Sequence, residues 1–386
     1  MTDSGGAASS QPGGSGTLGG ASNSSGGAAG SAGSSGQTQA GGASNSDPVS
    51  TPSKPCTMTA GDWCQELTSG ETSNAYLITL NSQDHVILAG QKQGGGLFVA
   101  EYAPIGQNAW VHELPAGDAD FVEGLTTDGN DNIFVSGSRY DPITSSIHAL
   151  IAKLTPEGKV LWLREPGGLL RSTGLAVDAN GNAVLATQAN EVLKYSPGGD
   201  VLWRLTPNGK TGVGHPSVDA DGHVLALTAN ATSAFLTEWS ANGDPISDEK
   251  LSPVDESPTD LAFDRNGDLL AVRYEAVSRR RILWRYSRAS GVVWSTALPD
   301  QLFTADQLAL DARGRIFIVG MANDFGKPYY DGYLAQYDPD GKLLWGEALG
   351  MRGTSSANSL AVSRDGKVYL GGGSASGAFV MRVSPP

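Results

Sequence analysis

Apolar residues in this chain come in short bursts separated by compact polar turns, and the pattern repeats. Residues 175–187, "LAVDANGNAVLAT", read as an apolar strand, a tight turn of Asp, Asn and Gly, and a second apolar strand. Such turns accept the positive φ and side-chain-to-backbone hydrogen bonds that close a hairpin. The unit returns as "LTTDGNDNIFVSG", "PSVDADGHVLALT", "LAFDRNGDLLAVR", "LALDARGRIFIVG" and "LAVSRDGKVYLGG", and more weakly as "ITLNSQDHVILAG". Seven hairpins are therefore expected.

A second pattern follows each hairpin. "TPEGKVLWLR", "SPGGDVLWRL" and "DPDGKLLWGE" each place a Gly turn before a strand that carries Trp. Trp110, Trp162, Trp203, Trp294 and Trp345 share this setting, and Ser247 stands where the fourth repeat should have its Trp. Neighbouring positions in this series lie 41 to 52 residues apart. That is the period of a four-stranded propeller blade. Each unit thus reads as strands A to D, with the A–B hairpin first and the Trp on strand D. Trp supplies a large buried area at one point per repeat and is expected to pack on the neighbouring blade.

The last copy ends at "FVMRVSPP", a strand C with no strand D after it. "GDWCQEL", with Trp63, has the strand D pattern and precedes the first strand A. The expected fold is an all-β, seven-bladed propeller of four-stranded antiparallel blades, closed by its N-terminal strand. Closure of this kind removes exposed sheet edges.

The stretch "YDPDGKLLWGEAL" resembles the tryptophan-docking motif of quinoprotein-type (PQQ-like) propellers, while "LAVDANGNAVLAT" looks more like the SBBP and NHL repeats of bacterial propellers. The resemblance covers nearly all of the chain after residue 60. It implies the fold. For activity it points to noncatalytic relatives that use the motif for packing between blades. The enzymatic quinoproteins hold PQQ against adjacent cysteines, with calcium and a catalytic Asp, and this chain has no adjacent Cys pair.

Composition sets the domain plan. Residues 1–55 are Gly, Ser, Ala, Thr and Asn with almost no large apolar side chain, and read as a disordered tether. Residues 56–386 form the propeller. The chain carries 40 acidic and 26 basic residues, a net charge of −14, which argues against nucleic acid and anionic membranes as partners. No apolar run reaches the length of a transmembrane helix. Met1 is followed by polar residues, so no export signal stands in the chain as written. The Gly/Ser/Ala leader nonetheless resembles the stalk of a bacterial exported protein or lipoprotein. An extracytoplasmic location, secreted or envelope-anchored, is the expectation. Cys56 and Cys64 are the two cysteines. A disulfide between them suits an oxidising compartment; two free thiols are the alternative.

Candidate chemistry lies on the channel mouth and the long loops. Residues just before each strand A should ring the mouth: Glu123, Thr173, His215, Thr259, Asp260, Asp306, Gln307 and Asn358. The B–C loops carry Tyr140, Phe325, Tyr329 and Tyr330, which suit recognition of protein or carbohydrate. Asp178, Asn180 and Asn182 have cation-loop spacing, as do Asp264, Asn266 and Asp268, but no downstream Glu completes the site and the turn itself needs these residues. Arg279, Arg280 and Arg281, near Arg273 and Arg285, make one basic patch. No nucleophile, zinc-protease, phosphate-loop or dinucleotide motif is present.

The expected function is noncatalytic binding or scaffolding by a monomer, with no cofactor and no metal. A metal-dependent propeller hydrolase or lactonase, with Glu123, His215, Asp260 and Asp306 as ligands, is the alternative. A PQQ oxidoreductase is a third reading.

Overall fold

A computed structural model describes residues 62–384 apart from 68–71, 93–95, 115–120, 142, 168–170, 254–257, 276–277, 324–329, 350–355 and 375–376. The tether reading, Cys56, Phe325 and Tyr329 fall outside the described residues. The described residues form 28 strands in seven four-stranded sheets. All strand pairs are antiparallel neighbours in sequence, except in the closing blade. Blades 1 to 6 span residues 72–113, 121–164, 172–205, 212–253, 258–297 and 307–348. Blade 7 takes strands A to C from 356–383 and strand D from Trp63–Leu67. Trp63 pairs with Arg382 and Leu67 with Ala378, so the two ends of the chain close one sheet. No described helix is long and apolar enough to cross a membrane.

The A–B turns are built by their Asp residues. In blade 3, Asp178 Oδ1 accepts the N–H groups of Asn180 and Asn182, each at 2.9 Å, and Gly181 takes φ +76°. In blade 5, Arg285 meets both Asp264 and Asp268, at 2.6 and 2.8 Å. The cation-like spacing therefore serves the hairpin, and a guanidinium already stands at the second copy.

Strand D and the C–D turn connect the blades. The indoles of Trp63, Trp110, Trp162, Trp203 and Trp294 each lie over the C–D Gly of the next blade: Gly106, Gly158, Gly199, Gly243 and Gly341. All five glycines have positive φ, and a Cβ on any of them would come within 3.2 Å of the ring. Trp63, Trp162 and Trp203 also donate Nε1–H to a carbonyl of that turn, at 2.8 to 3.0 Å. Trp345 differs. Blade 7 has no continuous C–D turn, and this indole donates to Gln336 of its own blade at 2.6 Å. Trp345 still packs against the apolar cluster shared by blades 6 and 7.

Between blades 4 and 5 the device is missing. Ser247 takes the Trp register, opposite Glu238, and Gly291 of blade 5 has nothing within 4 Å of its Cβ position. The apolar cluster there is small, with Leu269, Ala271, Trp284 and Tyr286 from blade 5 and Leu251 from blade 4. Polar bridges take over: Tyr286 donates to Glu249, and Arg288 to Glu238 at 2.9 Å.

Candidate binding site at the channel mouth

Strand A of each blade lines the central channel, so the residues that open it meet at one rim. Glu123, Thr173, His215, Asp260, Asp306, Gln307 and Asn358 surround a single cavity of about 310 Å³. They come from blades 2 to 7 and from the linker before blade 6. Thr259 belongs to the same strand start in blade 5.

Much of the rim is tied into hydrogen bonds that cross from blade to blade. Asp260 Oδ2 accepts the Leu308 N–H of blade 6 at 2.6 Å. Gln307 Oε1 accepts the Leu360 N–H and the Ser359 hydroxyl of blade 7, at 2.6 and 2.7 Å. Ser359 Oγ in turn accepts the Ile78 N–H of blade 1 at 2.9 Å. Thr173 donates to the Val213 carbonyl of blade 4 at 2.8 Å. Within blade 2, Ser138 donates to Glu123 Oε2 at 2.5 Å. Side chains held this way cannot swing freely, which preorganises the mouth.

Desolvation sets the charges. Surrounding protein pushes the Glu123 carboxyl up to about 7, against the opposing hydrogen bond from Ser138 and the charge of Arg171. It pushes Asp260 up to about 7 as well, against the N–H groups of Leu308 and Leu261. Asp306 also moves upward through loss of hydration, partly offset by Thr304 and Arg281. The same cause lowers His215, so its ring favours the neutral form. Near pH 7 Glu123 and Asp260 are thus each about half-charged, beside a His215 ring that favours the neutral form. His215 holds φ +48°, an uncommon value for a residue with a side chain, and its Nδ1 lies 3.8 Å from Asp260 Oδ1. That distance is too long for a hydrogen bond.

The four residues expected as metal ligands share the cavity but do not converge. Among the described residues, the one trio of His and carboxylate ligand atoms within 4.8 Å of one another lies elsewhere, on blade 4. Tyr140 is half-buried near the end of strand B in blade 2, paired with Ile147, and does not line the cavity. Tyr330 opens strand C of blade 6, paired with Asn323. Arg279, Arg280 and Arg281 line one cavity of about 270 Å³ away from the mouth, and the basic side chains have separate partners. Arg280 meets Asp300 at 3.3 Å, Arg281 donates to the Phe303 carbonyl at 2.8 Å, and Arg285 faces the A–B turn. Cys64 is disulfide-bonded.

Sequence reasoning missed Ser138, Ser359 and Ser217, which support or line the mouth. Ser138 sits on strand B, and the repeat alignment carried no sign that it faces Glu123.

No protein-family model matches the chain, and no curated protein sequence matches it. Solved structures do. A streptogramin B lyase is similar at 14% identity and a TM-score of 0.60, over 83% of this chain and 97% of that one. Virginiamycin B lyase from Staphylococcus aureus is similar at 13% identity and a TM-score of 0.61, over 84% and 99%. The WD40 propeller domain of Doa1 is similar at 12% identity and a TM-score of 0.58, over 82% and 95%. At these identities the likeness concerns the fold.

Proposed function

We propose that this chain is a noncatalytic binding propeller, acting outside the cytoplasm, that takes a neutral polyhydroxylated ligand such as a saccharide at the channel mouth. The observation that carries this reading is the rim itself: fixed carboxyl, amide, hydroxyl and imidazole groups around one cavity of about 310 Å³, with Glu123 and Asp260 partly neutral near pH 7. Neutral carboxyl groups both donate and accept, which matches sugar hydroxyls. A cavity of this size suits a small ligand. Asp260 and Gln307 already hold neighbouring blades together, so they orient a ligand better than they move during a reaction. The disulfide at Cys64 and the Gly/Ser/Ala leader favour an oxidising location.

A glycan array and calorimetry on the full chain test this. Saccharide binding that disappears in Glu123→Ala and Asp260→Ala is expected. Binding unchanged by both variants, or no saccharide bound, would remove the proposal.

One observation favours a second reading. A carboxyl near 7, as at Glu123, suits general acid–base work, and two structural neighbours are lyases by name. On that reading the mouth performs elimination or hydrolysis, with or without a metal. Turnover of lactone or ester substrates, lost in Glu123→Gln, would favour it over binding alone.

A further inference from the structure

In blades 2 to 6 the A–B turn carries an Asp, and the strand C side chain in the facing register differs from blade to blade. In blade 2 it is Lys153, 3.3 Å from Asp128. In blade 3 it is Lys194, 3.1 Å from Asp178. In blade 5 it is Arg285, on Asp264. In blade 6 it is Gln336, and Arg315 neutralises Asp311 at 2.6 Å. Blade 4 breaks the rule. The register position holds Glu238, opposite Leu225, and the turn carboxylate is Asp219. Two carboxylates therefore face each other where blades 2, 3, 5 and 6 set a basic side chain on the turn Asp.

His223 stands between them. Its Nδ1 lies 3.4 Å from Asp219 Oδ2 and 3.3 Å from Glu238 Oε1. Donor atoms bound at zinc distances on a tetrahedron are separated by about 3.3–3.4 Å. The remaining oxygens are held from outside. Asp219 Oδ1 accepts the N–H groups of Asp221 and His223, at 3.0 and 2.8 Å. Glu238 Oε2 accepts from Ser247 and Arg288, each at 2.9 Å. Each carboxylate thus keeps one oxygen for the centre, while outer partners orient it, as around metal ligands generally. Asp219 also lines a cavity of about 580 Å³ between blades 4 and 5, and the side chains of Asp219 and His223 are both about one-third exposed, so water reaches them.

We propose that Asp219, His223 and Glu238 form a binding site for a zinc-class divalent cation. The ion would cross-link the A–B turn of blade 4 to its strand C, beside the blade interface that lacks a docking Trp. Blade 1 supplies the contrast. There His85 and Glu101 meet at 2.8 Å, but Asn81 replaces the turn Asp and its amide donates to Glu101 at 3.1 Å. That arrangement offers only two ligands of the required kind.

The test uses the untagged full chain, stripped with chelator and titrated with Zn²⁺ alone. Calorimetry should show one equivalent bound, and excess Zn²⁺ should raise the melting temperature by a few degrees. His223→Asn installs the residue type that blades 2 and 3 carry at this turn position, so it is expected to fold. It should abolish both responses. Glu238→Gln keeps an acceptor for Ser247 and Arg288 and should weaken binding at least tenfold. Glu123→Gln and Asp260→Asn at the channel mouth should leave Zn²⁺ binding unchanged. A wild type that ignores Zn²⁺ would overturn the proposal. Binding unchanged in His223→Asn, or lost only in the channel variants, would overturn it equally.

Discussion

The ring of Trp162 lies against Gly199 of the next blade so closely that a Cβ on Gly199 would sit 2.8 Å from it. The indole Nε1 also donates to the Pro197 carbonyl of the same turn at 2.9 Å. One residue pair thereby joins two sheets by apolar contact and a hydrogen bond. Trp162→Ala should cost about 3–5 kcal/mol in urea denaturation. Gly199→Ala should also destabilise, by about 1–3 kcal/mol, because it meets both the ring and a φ of +86°. A neutral result for both would mean that this contact contributes little to the ring.

The interface between blades 4 and 5 lacks such a pair, and its amides should exchange fastest among the blade interfaces. Ser247→Trp should set an indole against the C–D turn of blade 5, where Ser290 takes the register of the docking glycines. A gain of about 1 kcal/mol is expected from the added burial, with slower exchange across residues 291–297. Hydrogen-exchange mass spectrometry of both proteins checks this.

Ring closure rests on Trp63–Leu67. Deleting residues 62–67 uncovers the edge of strand Gly377–Val383 in blade 7. Aggregation or a loss of several kcal/mol should follow. Light scattering and thermal melting read this directly, and a deletion variant that stays monomeric with an unchanged melting temperature would contradict the closure.

Glu123 and Asp260 titrate higher in the folded chain, near 7, than their ordinary values of 4.5 and 3.8. The folded state therefore binds their protons more tightly than the unfolded state does. Their contribution to stability is complete below about pH 4 and is lost as pH rises to about 7. Glu123→Gln with Asp260→Asn should flatten that decline between pH 5 and 8. Melting curves of wild type and double variant across this range provide the measurement. His215, shifted downward, acts in the opposite sense, so the comparison between the two proteins isolates the carboxyl contribution.

Part of this protein was legible in its sequence because the forces concerned are local. The A–B turns, the alternation within each hairpin and the Gly-to-Trp spacing are set within about a dozen residues; the hairpins recur seven times and the Gly-x-x-x-Trp spacing four times. Recurrence made the blade count readable, and the unmatched strand at "GDWCQEL" marked the closure. The rim was legible for a related reason: once strand A lines a channel, the residues before it must share one face. Glu123, His215, Asp260 and Asp306 accordingly surround the same cavity.

Tertiary structure decided the rest, because closing the ring sets distances that no local pattern encodes. Ser359 and Ile78 are 281 residues apart and hydrogen-bonded. Asp260 and Leu308 are 48 apart, and their contact belongs to the packing of two blades. The raised carboxyls depend on dehydration by the protein packed around the mouth, which exists only in the folded ring. The blade 4 trio was visible only as single letters, with Glu238 in place of Lys or Arg and His223 in place of Asn. Their meeting with Asp219 required the strand register, since one residue of slip would have turned Glu238 to the other face of its sheet.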